Sequence, residues 1–237
     1  MLDPIGKAMP AIPGVDQLPT VEQARALLSQ VHAVAPERVA IAARAKADAG
    51  IPPRFATADL ETWAATTPAQ VRVRRVLQRF AGNFEQARKL GSNLVFRGEV
   101  GSGKTTLACG VVRAVSDRGF SARYVSRIGA YFRQMREAFS GDGQSASKIE
   151  AGLARPDLLV LDEVGVQYGS KAELVMLTEL IDERYAHQRP TIVVSNLAGA
   201  ALAELVGERA ADRLAENGVE LVFDWPSFRR GGRGGAA

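Results

Sequence analysis

The chain has 237 residues, of which 46% are hydrophobic and 24% charged, a composition typical of one ordinary α/β domain with an appendage. No apolar run approaches the roughly 20 residues of a membrane span, and the N-terminal stretch lacks the apolar core of an export signal. The single cysteine, Cys109, excludes an internal disulfide and a cysteine-rich zinc site and suits a reducing compartment. We therefore expect a cytoplasmic protein without membrane contact.

The net charge of +4 is small and unevenly distributed. Three arginines follow residue 228, and six basic residues lie between residues 72 and 89. Either stretch could contact nucleic-acid phosphates or form a solvated surface, and the sequence leaves both interpretations open. We expect residues 231–237 to be a flexible Arg/Gly tail.

The first 50 residues predict a small helical N-terminal module with a flexible lead. Residues 1–20 contain four prolines and two glycines, whereas apolar residues between positions 21 and 49 recur at helical spacing. This pattern predicts a helical hairpin that either binds a partner or packs on the main domain. A helix cannot cross Ile51–Phe55, which contains two prolines, so we place the domain boundary there.

Strands and helices alternate from about residue 69 onwards. The predicted strands are Asn93–Arg97, Ala122–Ser126, Leu158–Asp162, Thr191–Ser195 and Glu220–Phe223. The predicted helices cover residues 104–118, 128–139, 171–187 and 199–216, with a polar, flexible interruption at residues 140–145. This alternation predicts an α/β fold with a parallel five-stranded sheet that is covered by helices on both faces.

One segment, Gly98-Glu99-Val100-Gly101-Ser102-Gly103-Lys104-Thr105, matches the phosphate-binding loop pattern G-x-x-x-x-G-K-[ST] in full. It lies between a predicted strand and a predicted helix, which makes a chance glycine-rich turn the weaker explanation. Glycines let backbone N–H groups face the phosphates, Lys104 adds a positive charge, and the Thr105 hydroxyl is a ligand for Mg²⁺. The sequence therefore predicts binding of ATP together with Mg²⁺.

Polar residues follow two other predicted strands. Asp162 and Glu163 end a buried apolar strand, and ligands bind at that edge of an open α/β sheet. Asp162 would hold Mg²⁺, and Glu163 would activate the water that attacks the γ-phosphate. Asn196 ends another apolar strand, where it would either bond the attacking water or simply begin a loop.

Two arginines near the C-terminus, Arg209 and Arg213, are four residues apart and therefore share one helix face. An arginine that reaches a neighbouring subunit's site can stabilise the transition state of phosphoryl transfer. Alternatively, the two arginines are a surface pair that bridges to Glu208 or Asp212. From the residues alone, the surface pair is the preferred interpretation.

Taken together, these motifs resemble the DnaC-type bacterial replicative helicase loaders, and more broadly the DnaC/IstB group of AAA+ ATPases. The resemblance covers about residues 49–230, and it is carried by the segments 49–55, 98–106, 158–167, 189–196 and 207–213. The ending Phe223-Asp224-Trp225-Pro226-Ser227-Phe228-Arg229 looks very like the F-[ND]-W-x-S-[YF]-R ending of the loaders. This ending is the most discriminating part, because it separates loaders from the transposition helpers of the same group.

The resemblance implies an AAA+ P-loop ATPase core at residues 51–230, without a large helical lid. It extends the nucleotide site to Thr106 and, near the end of the chain, to Arg229. The family's Mg²⁺, catalytic and sensor positions match Thr105, Asp162, Glu163 and Asn196, while Lys104 contacts the phosphates. Arg213 matches the arginine finger, and Arg209 is its neighbour in the same motif.

The resemblance also implies partners. ATP-bound loaders associate in a spiral that grips single-stranded DNA and deliver a hexameric replicative helicase of the DnaB type. The family's DNA-facing positions match Phe139, Gln167, Ser170 and Lys171, although Phe139 could instead anchor its helix in the core, and Ala172 stands where an aromatic residue is expected. The N-terminal module would be the helicase-binding part by position.

Three other functions remain in view at this point. A transposition helper ATPase of the IstB type would remodel a transposase on double-stranded DNA. A small-molecule kinase would need an acceptor site and a lid, for which residues 140–147 are short. A nucleotide-gated DNA-binding adaptor would not hydrolyse ATP, whereas Lys104 and Glu163 favour hydrolysis.

Overall fold

The computed structural model describes residues 49–141, 145–165 and 170–228. The predicted N-terminal module, Gln167, Arg229 and the Arg/Gly tail lie outside these described residues. No helix within the described ranges is long and apolar enough to cross a membrane.

Five parallel strands form a single sheet, as the sequence predicts. They are β1 (Asn93–Gly98), β2 (Ala122–Val125), β3 (Leu158–Leu161), β4 (Thr191–Ser195) and β5 (Gly218–Phe223). Their order across the sheet is β2-β3-β4-β1-β5, and every neighbouring pair is parallel. The α/β class with a five-stranded parallel sheet is therefore confirmed, and β3, β4 and β1 are its central strands.

Eight helices surround the sheet in the described part of the chain. They are α1 (Pro68–Gly82), α2 (Phe84–Lys89), α3 (Lys104–Asp117), α4 (Ile128–Phe139), α5 (Ala146–Ala154), α6 (Lys171–Ala186), α7 (Gly199–Val206) and α8 (Glu208–Glu216). A short 3₁₀ turn, Pro53–Phe55, precedes them. The start of α1 is fixed by a capping box, in which the Thr67 side chain and the Gln70 side chain each accept from the other's backbone N–H.

Two predictions of helices need correction. The single helix predicted over residues 199–216 is broken into α7 and α8 at Gly207, whose φ of 85° is incompatible with a continuous α-helix. Helix α5 was not predicted: residues 140–145 were interpreted as a polar, flexible interruption, and no element was assigned between them and β3. Leu153 and Ala154 bury the end of α5 against the core, so tertiary packing stabilises a helix of only nine residues.

The two faces of the sheet contribute to separate hydrophobic clusters. On one face, residues such as Val160 and Val194 pack with helices α1, α2 and α3. On the other face, residues such as Leu161 and Val193 pack with helices α4 to α8. Burial on both faces explains why the central strands read as continuous apolar runs in the sequence.

A fully buried arginine, Arg184, joins the second layer of helices to the sheet. Its guanidinium donates to the carbonyls of Pro190 (2.7 Å), Leu153 (2.9 Å) and Pro156 (2.9 Å) and to the Thr191 hydroxyl (2.9 Å). Burial lowers the pKa of Arg184 to about 9. The cation therefore connects the end of α5 with the starts of β3 and β4 through neutral acceptors.

Replacing this cation by an apolar side chain will destabilise the fold. Arg184→Met leaves several buried carbonyls without a donor, and we expect a loss of about 3–5 kcal/mol in the free energy of unfolding. Urea denaturation followed by circular dichroism measures this loss. The matched control is Arg133→Met on the exposed face of α4, which should change stability by less than about 0.5 kcal/mol. Equal stability of the two variants would contradict this role of Arg184.

Candidate nucleotide-binding site

The three central strands end at one edge of the sheet, and the predicted site residues lie there. The loop after β1 leads into α3, Asp162 follows β3, and Asn196 follows β4. These residues line a cleft of ≈ 560 Å³. From the phosphate-binding loop, the cleft is lined by Val100, Gly101, Gly103, Lys104, Thr105 and Thr106.

Backbone geometry explains the glycines of the loop. Gly98 has a φ of 145°, and a Cβ atom on it would lie 2.3 Å from the carbonyl oxygen of Phe223 on β5. Gly103 has a φ of 93° immediately before the first residue of α3. Only glycine fits both positions, and the loop therefore delivers the N-terminus of α3 to the cleft, where free N–H groups favour anions.

The Lys104 side chain is almost fully buried within the loop. Its ammonium donates to the carbonyls of Gly98 and Glu99, each at 2.7 Å, and contacts the Ser102 hydroxyl at 3.4 Å. Burial lowers the pKa of Lys104, while the nearby Asp162 carboxylate opposes that change. The Lys104 ammonium is thus held within the loop whose backbone N–H groups would also face a phosphate. Ser102 is buried and donates to the Glu99 carbonyl, so it stabilises the loop without lining the cleft.

The Asp162 carboxylate is buried and accepts three hydrogen bonds. Its Oδ2 accepts from the Thr105 hydroxyl at 2.8 Å and from the Tyr124 hydroxyl at 2.6 Å, and its Oδ1 accepts from the Glu163 N–H at 2.8 Å. A hydroxyl and a carboxylate that share one corner of a phosphate site are the oxygen donors that Mg²⁺ prefers. The residues present therefore fit a Mg²⁺ site, with Thr105 and Asp162 as its protein ligands.

Glu163 lines the cleft in a strained backbone conformation. Its φ of 56° is left-handed, which costs a residue with a side chain about 1–2 kcal/mol. Its carboxylate is half exposed and lies 3.8 Å from the Arg127 guanidinium. Asn196 lines the same cleft. The residue before it, Ser195, connects the ends of β3 and β4, because its hydroxyl donates to the Val164 carbonyl at 2.6 Å.

The two arginines predicted to act in a neighbouring site lie outside the cleft, on α8. Both contact Asp182 of α6, with Arg209 Nη2 at 2.7 Å and Arg213 Nε at 2.5 Å from its carboxylate. The Arg213 guanidinium also lies 4.4 Å from the centre of the Tyr185 ring. Ion pairs of these arginines with neighbours on their own helix, Glu208 or Asp212, were the wrong expectation, because α6 packs directly against α8 and supplies Asp182 instead.

The loader-like ending of the chain is hydrogen-bonded to the phosphate-binding loop. Residues 223–228, which we call the aromatic strap, place the Trp225 indole N–H 2.9 Å from the Ser102 carbonyl and the Phe228 N–H 2.9 Å from the Gly101 carbonyl. Trp63 packs against the strap, with its ring centre 6.2 Å from that of Trp225 and 5.9 Å from that of Phe228. Trp63 therefore lines the nucleotide cleft, whereas Trp225 is buried and bonds to the phosphate-binding loop.

Three of the residues predicted to face DNA are described: Phe139 is the last residue of α4, and Ser170 and Lys171 lie at the start of α6. Phe139 is 67% exposed at the end of α4, so it is not a core anchor. The Ser170 hydroxyl accepts from the Glu173 N–H at 3.2 Å and so caps α6, of which Lys171 is the exposed first residue. Phe139 and Ala172 line the same cavity of ≈ 370 Å³, so the structure brings the two predicted segments together.

Sequence reasoning missed four residues of these sites: Tyr124, Arg127, Asp182 and Trp63. Tyr124 and Arg127 belong to β2 and its end, and their relation to the site depends on β2 being the neighbour of β3. No sequence motif marks Tyr124 or Arg127. A tyrosine in the strand beside the one that ends in Asp-Glu becomes a signal only when the order of the strands is known.

The fold and the site define a P-loop, ATP-binding protein with the AAA+ fold. The chain belongs to the IstB-like ATP binding protein family, whose model matches residues 40–214. The resemblance to the DnaC/IstB group is thereby confirmed.

Curated relatives include the "Replicative helicase loader DnaC" of Escherichia coli K12, 31% identical over 67% of this chain and 62% of that protein. The match thus spans less than two thirds of that relative's length. The protein of the same name from Buchnera aphidicola subsp. Schizaphis graminum is 29% identical over 78% of this chain and 74% of that protein.

Solved structures with a similar fold include a crystal structure of the DnaC helicase loader, with a TM-score of 0.64 and 24% identity over 72% of this chain and 99% of that one. Another is AMPPCP-bound DnaA from Aquifex aeolicus, with a TM-score of 0.58 and 21% identity over 73% of this chain and 51% of that one. At these identities the likeness shows the fold alone, and it confirms the AAA+ architecture.

Removing the buried cation will weaken nucleotide binding. Lys104→Ala deletes a charge-assisted contact to phosphate, and we expect a 10- to 100-fold weaker affinity for ATP, since such a contact is worth about 1.5–3 kcal/mol. Intrinsic tryptophan fluorescence should report the titration, because Trp63 lines the cleft and Trp225 bonds to the phosphate-binding loop. The control Lys171→Ala changes an exposed lysine outside the cleft and should bind ATP like the wild type. Wild-type affinity in Lys104→Ala would contradict this assignment of the cleft.

Proposed function

We propose that the chain is an ATP-dependent loader that delivers a hexameric, DnaB-type replicative helicase onto single-stranded DNA in the cytoplasm during replication initiation or restart. The single observation that carries the proposal is the aromatic strap. The ending that sets loaders apart from transposition helpers in sequence is bonded to two carbonyls of the phosphate-binding loop. The relatives named as replicative helicase loaders support the same function and weigh against the transposition-helper alternative.

At the nucleotide site, the chain would hydrolyse ATP to ADP and phosphate. The N–H groups of the loop and Lys104 would bind the phosphates, and Thr105 and Asp162 would hold Mg²⁺, which neutralises charge on the phosphate oxygens when bound. Glu163 would accept the proton of the attacking water, and Asn196 would orient that water. The exposed carboxylate of Glu163, unlike that of Asp162, is free of short contacts that would occupy both its oxygens. This arrangement favours hydrolysis over a non-catalytic adaptor.

The arginines suggest that the site is completed by a second copy of the chain. Arg213 and Arg209 cannot serve the cleft of their own chain, because Asp182 holds them on the α6–α8 surface. We propose that this surface meets the nucleotide cleft of a neighbour in an ATP-dependent spiral, where Arg213 acts as the arginine finger. Arg229, next to the strap, would contact the nucleotide from the same chain.

Single-stranded DNA would contact the side of α4 and α6. Phe139 is exposed enough to stack on a base, and Lys171 can bind a phosphate without sequence preference. Ser170 would contribute mainly by fixing the start of α6, and Gln167 is proposed as a further DNA contact. In the proposed organisation, residues 1–50 contact the helicase, residues 51–230 form the ATPase domain and residues 231–237 form the tail.

A capture experiment tests this function. Replicative helicase from the same organism is immobilised, and retention of the chain is measured with ATP, with ADP and without nucleotide. We expect retention with ATP, and we expect Glu163→Gln to stay bound longer than the wild type because it would not hydrolyse the nucleotide.

The control for this experiment separates helicase binding from DNA binding. Phe139→Ala should be retained on the helicase like the wild type but should bind single-stranded DNA about 5- to 100-fold more weakly, as expected for loss of one stacked base. If the immobilised helicase retains no chain with ATP, with ADP or without nucleotide, the loader function is contradicted.

A further inference from the structure

The buried side of the Asp162 carboxylate carries a contact that the ATPase motifs do not explain. Tyr124 on β2 is 4% exposed, and its hydroxyl donates to Asp162 Oδ2 at 2.6 Å. The same oxygen accepts from the Thr105 hydroxyl at 2.8 Å. Two hydroxyls from different elements, one on the sheet and one on the phosphate-binding loop, thus meet at one oxygen of the Mg²⁺ site.

The two hydroxyls are not equivalent with respect to a bound cation. Thr105 belongs to the cleft lining and would itself give its oxygen to Mg²⁺, whereas Tyr124 reaches the carboxylate from the neighbouring strand and does not line the cleft. A short hydrogen bond from a neutral hydroxyl to a carboxylate is among the stronger ones in proteins. When a cation binds, the Thr105 hydroxyl would give up its hydrogen bond to Asp162 and turn its oxygen to the cation. The hydrogen bond from Tyr124 can remain and keep the Asp162 carboxylate oriented.

The surroundings make this hydrogen bond persistent. Cys109 on α3 is fully buried beside the Tyr124 hydroxyl. Tyr124 and Asp162 are themselves 4% and 3% exposed, so water has little access to the donated proton.

We propose that Tyr124 is a positioning residue for Mg²⁺, which holds the Asp162 carboxylate in the orientation that receives the cation with the nucleotide. This inference rests on the Mg²⁺-dependent use of ATP that is proposed above. A tyrosine that merely fills the core would affect nucleotide binding equally with and without Mg²⁺. A positioning residue affects only the Mg²⁺-dependent part.

The test is Tyr124→Phe in the full chain, which removes one oxygen atom and keeps the ring. Affinity for a fluorescent ATP analogue is measured first in EDTA and then across a Mg²⁺ titration. We expect an affinity in EDTA within about twofold of the wild type and a half-saturating Mg²⁺ concentration raised by about 3- to 10-fold. An unchanged or lowered half-saturating concentration would overturn the inference.

Two further variants make the result specific. Tyr131→Phe removes the hydroxyl of another buried tyrosine, on α4 in the opposite hydrophobic cluster, and should match the wild type in both measurements. Asp162→Asn should abolish most of the Mg²⁺ dependence, and adding Tyr124→Phe to it should cause no further change, since the hydroxyl acts through the carboxylate. A further loss in the double variant would contradict the inference.

Failure of the inference can be distinguished from failure of the proposed function. A wild type whose nucleotide affinity ignores Mg²⁺ would overturn both the Mg²⁺ site and the role of Tyr124. A wild type that depends on Mg²⁺, together with an indistinguishable Tyr124→Phe, would overturn the role of Tyr124 alone. If Tyr124→Phe is unstable in thermal denaturation, the double-variant comparison at reduced temperature still decides the question.

Discussion

The hydrogen bond between Thr105 and Asp162 is the interaction on which the rest of the site depends, because it joins the phosphate-binding loop after β1 to the end of β3, two strands away in the sheet. A parallel sheet brings the carboxyl ends of its strands to one edge, but it does not by itself fix loops that follow those strands. Here the loop is fixed on both sides. Asp162 holds it through the Thr105 hydroxyl, and the buried Trp225 holds it through the Ser102 carbonyl. Two neutral donors and one carboxylate therefore define where the first turn of α3 lies and where phosphates can bind.

The acceptors of the two buried cations distinguish a cation that can bind phosphate from one that only stabilises the packing of the fold. Arg184 and Lys104 are both buried cations that donate to backbone carbonyls rather than to carboxylates. The acceptors of Arg184 belong to three separate elements, so this cation stabilises packing. The acceptors of Lys104 belong to its own loop, which also offers N–H groups to a phosphate, so anion binding can compensate its desolvation. The strained φ of Glu163 lies at the same edge, where backbone strain is often associated with function.

The sequence predicted what local patterns determine, and it failed where sheet order or packing decides. The five strands and the phosphate-binding loop follow from apolar runs and glycine spacing, and the parallel sheet follows from strand–helix alternation. The break at Gly207 was missed because a glycine inside a helical pattern is tolerated as often as it ends a helix. Tyr124 could not be assigned to Asp162 without knowing that β2 pairs with β3, and Asp182 could not be assigned to Arg213 without knowing that α6 packs on α8.

The most direct measurement of the central claim, that an ATPase site is completed by a neighbouring subunit, is hydrolysis by mixed variants on single-stranded DNA. Glu163→Gln keeps Arg213, and Arg213→Ala keeps Glu163, so each variant alone should lose nearly all of the DNA-stimulated rate. In an equimolar mixture, about a quarter of the interfaces should be active. Half of the subunits keep Glu163, and at random half of their neighbours keep Arg213. Recovery of the stimulated rate is the predicted result. A mixture no more active than the mean of its components would contradict the shared site.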